Sequence, residues 1–182
     1  EQLVPKESLY RKIDKYIDFT FIYDKVKNLY CADNGRKSVD PVVLFKLVFI
    51  QAIDGLKSMR KTCEKIKVDL EYRWFLGIPL GEDTPHYSTF SQNYIRRFAG
   101  SNIFEEIFVK IVEQAIAYGL VKGETFFTDS THKKANANKN KYHNEIIKEV
   151  KKRRKWLEEE INQERKKQNK KEFLYIDEIE AK

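Results

Sequence analysis

The feature that most constrains the fold is a nearly uninterrupted apolar segment, PVVLFKLVFIQAI, at residues 41–53. Asp40 precedes Pro41, and this pair predicts a helix start, because the carboxylate can cap free N–H groups and proline needs no N–H in the first turn. Lys46 and Gln51 interrupt the segment, which is also too short to cross a bilayer. A helix that is apolar nearly all round belongs in a core. The segment therefore predicts the central helix of a helical bundle.

Further short helices are predicted after this segment. Ser58 is a capping residue for a helix over SMRKTCEKI, and another short helix follows near Leu70–Phe75. A stretch with Gly77, Pro79 and Gly81 then breaks the chain. Ser88 is a candidate cap for a helix that runs to Phe98. The first hundred residues or so are thus predicted to be helices joined by turns.

A broad apolar stripe predicts a longer helix from Ser101 to Gly119. Ile103 begins a series of apolar residues that recur every four positions. The series and its apolar flanks are Ile103, Ile107, Ile111 and Ala115, with Phe104, Phe108, Val112 and Ile116.

The periodicity changes after Gly123. The segment ETFFTD is short and β-prone, and it predicts a strand that ends at Asp129. Residues 131–142 contain few apolar groups and are predicted to form an extended arm or a weak second strand. A long charged helix is predicted from about His143 to Gln168, with a thin apolar seam of Ile146, Val150, Leu157 and Ile161 and with Trp156 beside it.

The positive charge is concentrated in one part of the chain. The formal net charge is +7; residues 1–129 hold 19 Lys and Arg against 18 Asp and Glu, whereas residues 130–171 hold 15 against 6. Such an excess indicates an anionic partner without requiring one. Cys31 and Cys63 lack the spacing of a metal or redox motif and are expected to be reduced thiols, and no secretion signal is visible.

Asp129 is the candidate metal ligand. A carboxylate at the end of a strand suits a hard divalent cation, because the sheet fixes the oxygen and the following loop stays open to substrate. The alternative is a solvated Asp that begins a turn. His132 and His143 could join it, but in an extended segment Asp129 and His132 point to opposite faces. Contact with phosphate or solvent is therefore preferred for His132.

Two basic segments are candidates for binding phosphate. In the first, no acidic residue lies among the lysines, which favours nucleic acid; its members are Lys133, Lys134, Lys139 and Lys141. The second lies on the long helix, where Glu158–Glu160 could pair with the cations and leave only a solvated helix face; its members are Lys148, Lys151, Lys152, Arg153, Arg154 and Lys155.

Two helical segments could belong to a helix-turn-helix, Ser58–Phe75 and Ser88–Phe98. Arg, Gln and Asn on an exposed helix can read base edges. On the second segment these residues are Gln92, Asn93, Arg96 and Arg97. Composition does not separate this interpretation from an ordinary small bundle.

Three stretches in this order resemble the N-terminal half of bacterial insertion-sequence DDE transposases, in the branch with an InsH-like N-terminal domain. They are DPVVLFKLVFIQAIDGLKSMRKTCEKIKVDLEYRWFLG, YSTFSQNYIRRF and FFTDSTHKKANANK. The similarity covers roughly residues 1–170. YRWFLG and the later D-S-T-x-x-x-A-N-A-N-K are its most specific parts.

The resemblance implies a mainly α chain with two domains. Residues 1–120 would be a DNA-binding helical bundle with helix-turn-helix-like elements. Residues 121–182 would begin an incomplete ribonuclease-H-like α/β domain, with its first strand or two and a long charged insertion helix. Asp129 would match the first catalytic carboxylate, which holds Mg²⁺ or Mn²⁺ together with two others in the complete enzyme.

The expected second and third carboxylates are not assigned. The candidates after Asp129, which include Asp177, Glu178 and Glu180, lie outside any predicted sheet that would position them. One carboxylate binds divalent metal weakly, because water must replace the missing ligands. The chain alone is therefore expected to bind DNA without efficient cleavage, as a truncated N-terminal part of a transposase.

The expected partners are double-stranded DNA at transposon ends and another copy of the chain or a full-length transposase, with no membrane. The expected location is the bacterial cytoplasm, at the nucleoid. Two alternatives remain: a stand-alone DNA-binding regulator or inhibitor of transposition, and a helical module that dimerises through the Ile146–Ile161 seam.

Overall fold

The computed structural model describes residues 3–30, 38–120, 125–128, 131–134 and 139–173, with the backbone alone for 125–128, 131–134 and 139–145. The described part is mainly helical, as predicted. The chain divides into two compact units, Glu1–Gly100 (unit 1) and Ser101–Lys182 (unit 2). The predicted boundary at residue 120 separates DNA binding from catalysis, and it stays a prediction.

Unit 1 contains six α-helices among its described residues. A 3₁₀ turn, Lys27–Leu29, follows the second helix, and a π-helical turn, Tyr94–Phe98, follows the sixth. The helices are α1 (Leu9–Tyr16), α2 (Phe21–Val26), α3 (Pro41–Ile53), α4 (Met59–Val68), α5 (Leu70–Leu76) and α6 (Tyr87–Asn93).

Helix α3 lies at the centre of unit 1, which confirms the interpretation of the apolar segment. The Asp40 carboxylate accepts a hydrogen bond from the Val42 N–H at 2.7 Å, so the predicted cap is present. The helix packs against α2, α4 and α5, and side chains on several sides of it, including Leu47, Val48 and Ile50, have no exposed surface. Burial of each such side chain contributes about 1.5–3 kcal/mol.

Of the two caps that the sequence predicts after α3, the structure confirms Ser58 and not Ser88. Ser58 caps α4 by accepting the Lys61 N–H at 3.2 Å. The helix that follows Gly81 begins one residue earlier than expected, at Tyr87, and Ser88 is not its cap. His86 takes that role, because its Nδ1 accepts the Ser88 N–H at 3.3 Å.

Tyr72, the tyrosine of YRWFLG, belongs to a hydrogen-bond network that connects α1, α4 and α5 with the residue after α3. Tyr72 on α5 and Tyr10 on α1 both donate hydroxyl hydrogen bonds to the Asp54 carboxylate just after α3, and the Tyr10 bond is 2.8 Å long. The Lys65 ammonium on α4 donates to the Tyr72 hydroxyl at 3.2 Å. Burial and the Asp54 carboxylate raise the pKa of both tyrosines far above the ordinary value, since both disfavour the phenolate.

The remaining residues of this motif fix the turn after α5. The buried Arg73 guanidinium donates to the carbonyl oxygens of Pro79 and of Glu82, the latter at 2.7 Å. Gly77 ends the helix with a φ of 69°, a left-handed conformation that favours glycine. The Arg11 guanidinium lies 4.5 Å from the centre of the Trp74 ring. YRWFLG thus organises the interior of unit 1.

Unit 2 is built mainly from two helices, α7 (Ile103–Ala117) and α8 (Lys139–Lys167). They pack through a cluster of Val109, Ile146 and Val150, with Phe108, Val112, Ile116 and Ile147 against it. Ile146 and Val150 of the predicted seam are therefore covered by α7 of the same chain, and Leu157 and Ile161 are also buried. This burial opposes the alternative that the seam dimerises the protein.

An antiparallel hairpin precedes α8. Strand β1 (Thr125–Thr128) pairs with β2 (Thr131–Lys134), and Phe127 lies opposite His132. The predicted first strand is present, and the weak second strand is correct for 131–134. The extended conformation expected up to residue 142 is wrong at its end, because α8 begins at Lys139. The ribonuclease-H-like α/β domain stays a prediction.

Among the helices that the structure describes, none has both the length and the apolar surface needed to cross a bilayer. Cys63 is buried on α4, and Cys31 lies outside the described residues.

Candidate nucleic-acid interface

The four residues predicted to contact DNA near α6 separate into two pairs. Gln92 and Arg96 are exposed and lie four residues apart, so their side chains share one side of the helical segment. Asn93 and Arg97 have the same spacing but lie toward the interior. The exposed pair is accessible from solvent, and its contact with DNA stays a prediction.

Asn93 and Arg97 join α6 to the end of the α2 region. The Asn93 amide donates to the Thr89 carbonyl at 2.8 Å, and its oxygen accepts from the Arg97 guanidinium. Arg97 also donates to the Leu29 carbonyl at 3.2 Å and lies 4.4 Å from the centre of the Tyr30 ring. Burial raises the pKa of Tyr30, and the Arg97 charge partly opposes this. Asn93 and Arg97 therefore have a structural role within unit 1, and their contact with DNA stays a prediction.

Arg154 is the clearest departure from the predicted basic surface of α8. Its side chain is only 5% exposed, and the guanidinium binds Glu105 of α7 at 2.5 Å and Glu158 at 3.1 Å. It also donates to the Ser101 carbonyl at 3.1 Å. A buried cation held by two carboxylates is poorly placed to reach phosphate. The DNA contact of Arg154 stays a prediction that this burial does not support. The spacing of Arg154 from Val150, four residues, places it on the seam and could have revealed this burial.

Arg153 is also partly withdrawn from solvent. Its guanidinium lies 4.3 Å from the centre of the Trp156 ring. Burial lowers its pKa, and the negative charge of Glu160 opposes that shift. Stacking on an aromatic face is a common arrangement for arginine. Arg153 therefore contributes less accessible charge than its neighbours.

The lysines of this run form a continuous exposed stripe. Lys151 and Lys152 are exposed as predicted, and two further lysines extend the same face at helical spacing. The lysine stripe consists of Lys148, Lys151, Lys152 and Lys155. It lies on the opposite side of α8 from the seam, where a nucleic-acid backbone could approach it.

The hairpin lysines have a known position in the backbone. Lys133 and Lys134 lie on β2, opposite Phe126 and Thr125. Lys139 and Lys141 lie in the first turn of α8. The structure gives the backbone alone at these positions, so their contact with DNA stays a prediction.

Asp129 lies outside the residues that the structure describes. Its carboxylate is a hard oxygen donor of the kind that Mg²⁺ prefers. Among the described side chains, no group of three or more His, Cys, Asp or Glu is placed to hold a metal ion. The metal-binding role of Asp129 stays a prediction.

The fold thus defines a helical unit with exposed Gln and Arg side chains, followed by a second unit with a lysine stripe. A family model described as "Transposase domain (DUF772)" matches residues 1–96, which is nearly all of unit 1 and more than half of the chain. The chain belongs to this transposase domain family. No curated protein and no solved structure matches it.

Proposed function

We propose that this chain is the N-terminal part of a DNA transposase of the DDE class, that it binds the duplex ends of its transposon, and that Asp129 supplies the first metal-binding carboxylate for cleavage and strand transfer. The observation that carries this proposal is the transposase domain over residues 1–96. The exposed Gln92 and Arg96 and the lysine stripe support DNA as the ligand.

Different parts of the chain are proposed to do different work. Gln92 and Arg96 can donate hydrogen bonds to base edges or phosphates, and the lysine stripe can neutralise phosphates. Lys133 and Lys134 lie four and five residues after Asp129 along the chain. They could hold the DNA backbone beside that carboxylate.

Asp129 would hold Mg²⁺ or Mn²⁺ as one oxygen ligand. When bound, such an ion polarises the phosphodiester and stabilises charge on the departing oxygen. One carboxylate is a weak site for it, so we expect the chain alone to bind DNA without efficient cleavage.

Gel shifts with duplexes of the transposon ends and with base-shuffled duplexes of equal length test the binding step. We expect the end duplexes to bind more tightly. Equal affinity over a salt series would indicate contacts to the backbone alone. Failure to bind either duplex would contradict the proposal.

A plasmid-nicking assay with Mg²⁺ tests the role of Asp129. We expect little nicking by the chain alone, and Asp129→Ala compared with the control Asp177→Ala shows which carboxylate any activity needs. Efficient nicking lost only in Asp129→Ala would confirm the metal role and contradict the expectation that the chain cannot cleave. Equal nicking by both variants would show that cleavage does not need Asp129.

A regulator that binds DNA without taking part in catalysis is the second candidate. It is favoured by the family match, which ends within unit 1 and includes none of unit 2. Either function would lower the yield of a transposition reaction by occupying the ends, so the dependence of nicking on Asp129 separates the two.

A further inference from the structure

We propose that the exposed face of α4 reads base edges in the major groove of duplex DNA. This inference rests on the proposed function that unit 1 binds DNA, and it names the surface that gives the binding its sequence preference. The sequence offers Ser58–Phe75, which contains α4, as one of two possible helix-turn-helix segments, but the individual DNA contacts predicted from it lie on β2, α6 and α8.

Helix α4 has two clearly different faces. Its inward face packs in unit 1 beside α3, α5 and α6, and it consists of Met59, Thr62, Cys63 and Ile66. Its outward face carries four cations, one carboxylate and one branched apolar side chain; the members are Arg60, Lys61, Glu64, Lys65, Lys67 and Val68. We call these six residues the α4 face.

Glu64 lies at the centre of the α4 face. Residues three and four positions away on a helix are its surface neighbours, and for Glu64 these are Arg60, Lys61, Lys67 and Val68. Although three neighbours are cationic, Glu64 forms no ion pair within the described part of the chain. The face therefore differs from a solvated helix surface held by ion pairs between successive turns.

Arg60 is held by a different partner. Its guanidinium donates to the Tyr87 hydroxyl at 2.7 Å and lies 4.0 Å from the centre of the Tyr87 ring. This contact joins the first turn of α4 to the first residue of α6. It fixes the guanidinium beside the start of α4, where recognition helices contact bases.

A central carboxylate distinguishes base reading from simple phosphate binding. A surface that only neutralises phosphates gains nothing from Glu64, since the carboxylate repels them. In the major groove, Glu accepts a hydrogen bond from the amino group of cytosine, while Arg and Lys donate to guanine. The charges of the α4 face therefore suit the mixed pattern of base edges.

Val68 supports the same assignment. Its side chain is 83% exposed, the largest value among the exposed large hydrophobic residues of the described chain. It lies one turn beyond Glu64, on the same face. Apolar side chains contact the methyl group of thymine in the major groove. Such a contact would remove Val68 from water.

The local architecture also fits this role. Helix α3 ends at Ile53 and α4 begins at Met59, and Gly55 in the intervening turn has a φ of 59°. Two helices joined by a short turn with glycine are the arrangement of a helix-turn-helix, whose second helix enters the major groove. The α3–α4 pair places the α4 face on that second helix.

Selection of DNA by the full chain tests the inference. Duplexes with about 20 randomised base pairs, enough for two helical turns, are enriched on the immobilised wild-type protein. Fluorescence anisotropy then gives Kd for the enriched duplex and for a base-shuffled duplex, with wild type, Glu64→Gln, Val68→Ser and Lys61→Ala. The matched control is Glu106→Gln, which makes the same change on an exposed residue of α7.

We expect Glu64→Gln to reduce the preference for the enriched duplex about tenfold, because loss of a specific base contact has an effect of this size. Its affinity for shuffled DNA should be unchanged or higher. Val68→Ser should reduce the preference to a smaller extent, and Lys61→Ala should weaken binding to both duplexes. Glu106→Gln should behave as wild type, and circular dichroism of each variant should match that of the wild type.

Three results would overturn the inference, and they differ in what they mean for the proposed function. If the wild-type protein enriches a sequence and Glu64→Gln and Val68→Ser keep the same preference, base reading by α4 is excluded and the proposed function stands. If the wild-type protein binds DNA but enriches no sequence, base reading is excluded and DNA binding is still supported. A wild-type protein that binds no duplex would contradict both proposals.

Discussion

The two units of the chain are stabilised in different ways. Unit 1 packs several short helices around the apolar helix α3. Hydrogen bonds of Tyr10 and Tyr72 with Asp54 connect these helices, and those of Arg73 with Pro79 and Glu82 fix the turn after α5. Unit 2 joins α7 to α8 through an apolar cluster and through Arg154, which is buried between Glu105 and Glu158. Different substitutions and conditions should therefore destabilise the two units.

The comparison shows how one type of residue can serve different purposes. Arg73, Arg97 and Arg154 all bind interior oxygen atoms of the protein. Arg96 and the lysine stripe remain at the surface. Positive charge in the sequence is therefore an unreliable guide to a DNA-binding surface. The burial of each side chain must be known before interior arginines can be distinguished from surface cations.

The largest expected effect is on unit 2. Arg154→Ala leaves Glu105 and Glu158 buried without their common cation, and loss of one member of a buried ion pair costs about 3–5 kcal/mol. We expect the free energy of unfolding of unit 2 to fall by about that amount. Because Trp156 lies in unit 2 and Trp74 in unit 1, urea unfolding followed by Trp156 fluorescence in a Trp74→Phe background reports the change.

The matched control is Lys155→Ala, one residue away and exposed, which should change stability by less than about 0.5 kcal/mol. Fluorescence of Trp74 in a Trp156→Phe background should show little effect of Arg154→Ala. Equal losses from Arg154→Ala and Lys155→Ala would contradict the assignment of Arg154 to the interior.

A smaller effect is expected from Arg73→Ala in unit 1. The change removes a buried charged donor from the Pro79 and Glu82 carbonyl oxygens, and hydrogen bonds to charged groups contribute about 1.5–3 kcal/mol. The Trp74-reported unfolding midpoint should fall accordingly. Arg96→Ala, at an exposed arginine, is the control and should leave it nearly unchanged.

The next prediction uses alkaline pH to separate the units. The pKa values of Tyr10 and Tyr72 are raised in the folded chain, so the folded state holds these protons more tightly than the unfolded state. Their contribution to stability is fully present below about pH 10, the ordinary tyrosine pKa, and is lost as pH rises toward the raised values. The unfolding midpoint of unit 1 should therefore decline above about pH 10.

A double variant, Tyr10→Phe with Tyr72→Phe, identifies the source of this decline. It should be less stable at neutral pH and should lose less stability between about pH 9 and 11 than the wild type does. Tyr118→Phe, at an exposed tyrosine, should retain the wild-type decline. An identical decline in the double variant would assign the effect to other groups.

Much of unit 1 follows from local sequence. Asp40 before Pro41 and Ser58 before Met59 specify helix starts through caps that the structure confirms. The four-residue spacing from Ile103 specifies α7 in the same local way. These features need only neighbours along the chain, so they are visible without a structure.

The side-chain partners could not be predicted in the same way. Arg154 binds Glu105, 49 residues earlier, and Arg97 binds a carbonyl 68 residues away. In a basic run such as KKRRK the residue types do not show which side chains are buried, although successive helix residues point about 100° apart. Only the spacing of Arg154 from Val150 and Ile146 indicates that it lies on the buried seam.

Helix α8 begins at Lys139, before the predicted start at about His143, for a related reason. Asn-rich sequence near Lys139 has weak helix preference, so packing rather than local propensity decides where the helix begins. Strand β1 ends at Thr128, one residue before Asp129, which lies outside the described residues. The role of Asp129 depends on ligands that local sequence does not specify.

The most direct test of the account is the salt dependence of DNA binding by the full chain. The affinity for a duplex of the transposon end is measured by fluorescence anisotropy between about 50 and 200 mM salt, where each phosphate contact adds about 0.9 to the slope of log K against log salt. Two fourfold variants are compared with the wild type. One replaces the lysine stripe by alanine, and the other makes the same charge change on α1 and after it, at Lys12, Lys15, Lys25 and Lys27. We expect a measurable affinity at low salt and a slope reduced by up to about 3–4 in the stripe variant alone. No binding at low salt, or equal slopes in both variants, would contradict DNA binding through the lysine stripe.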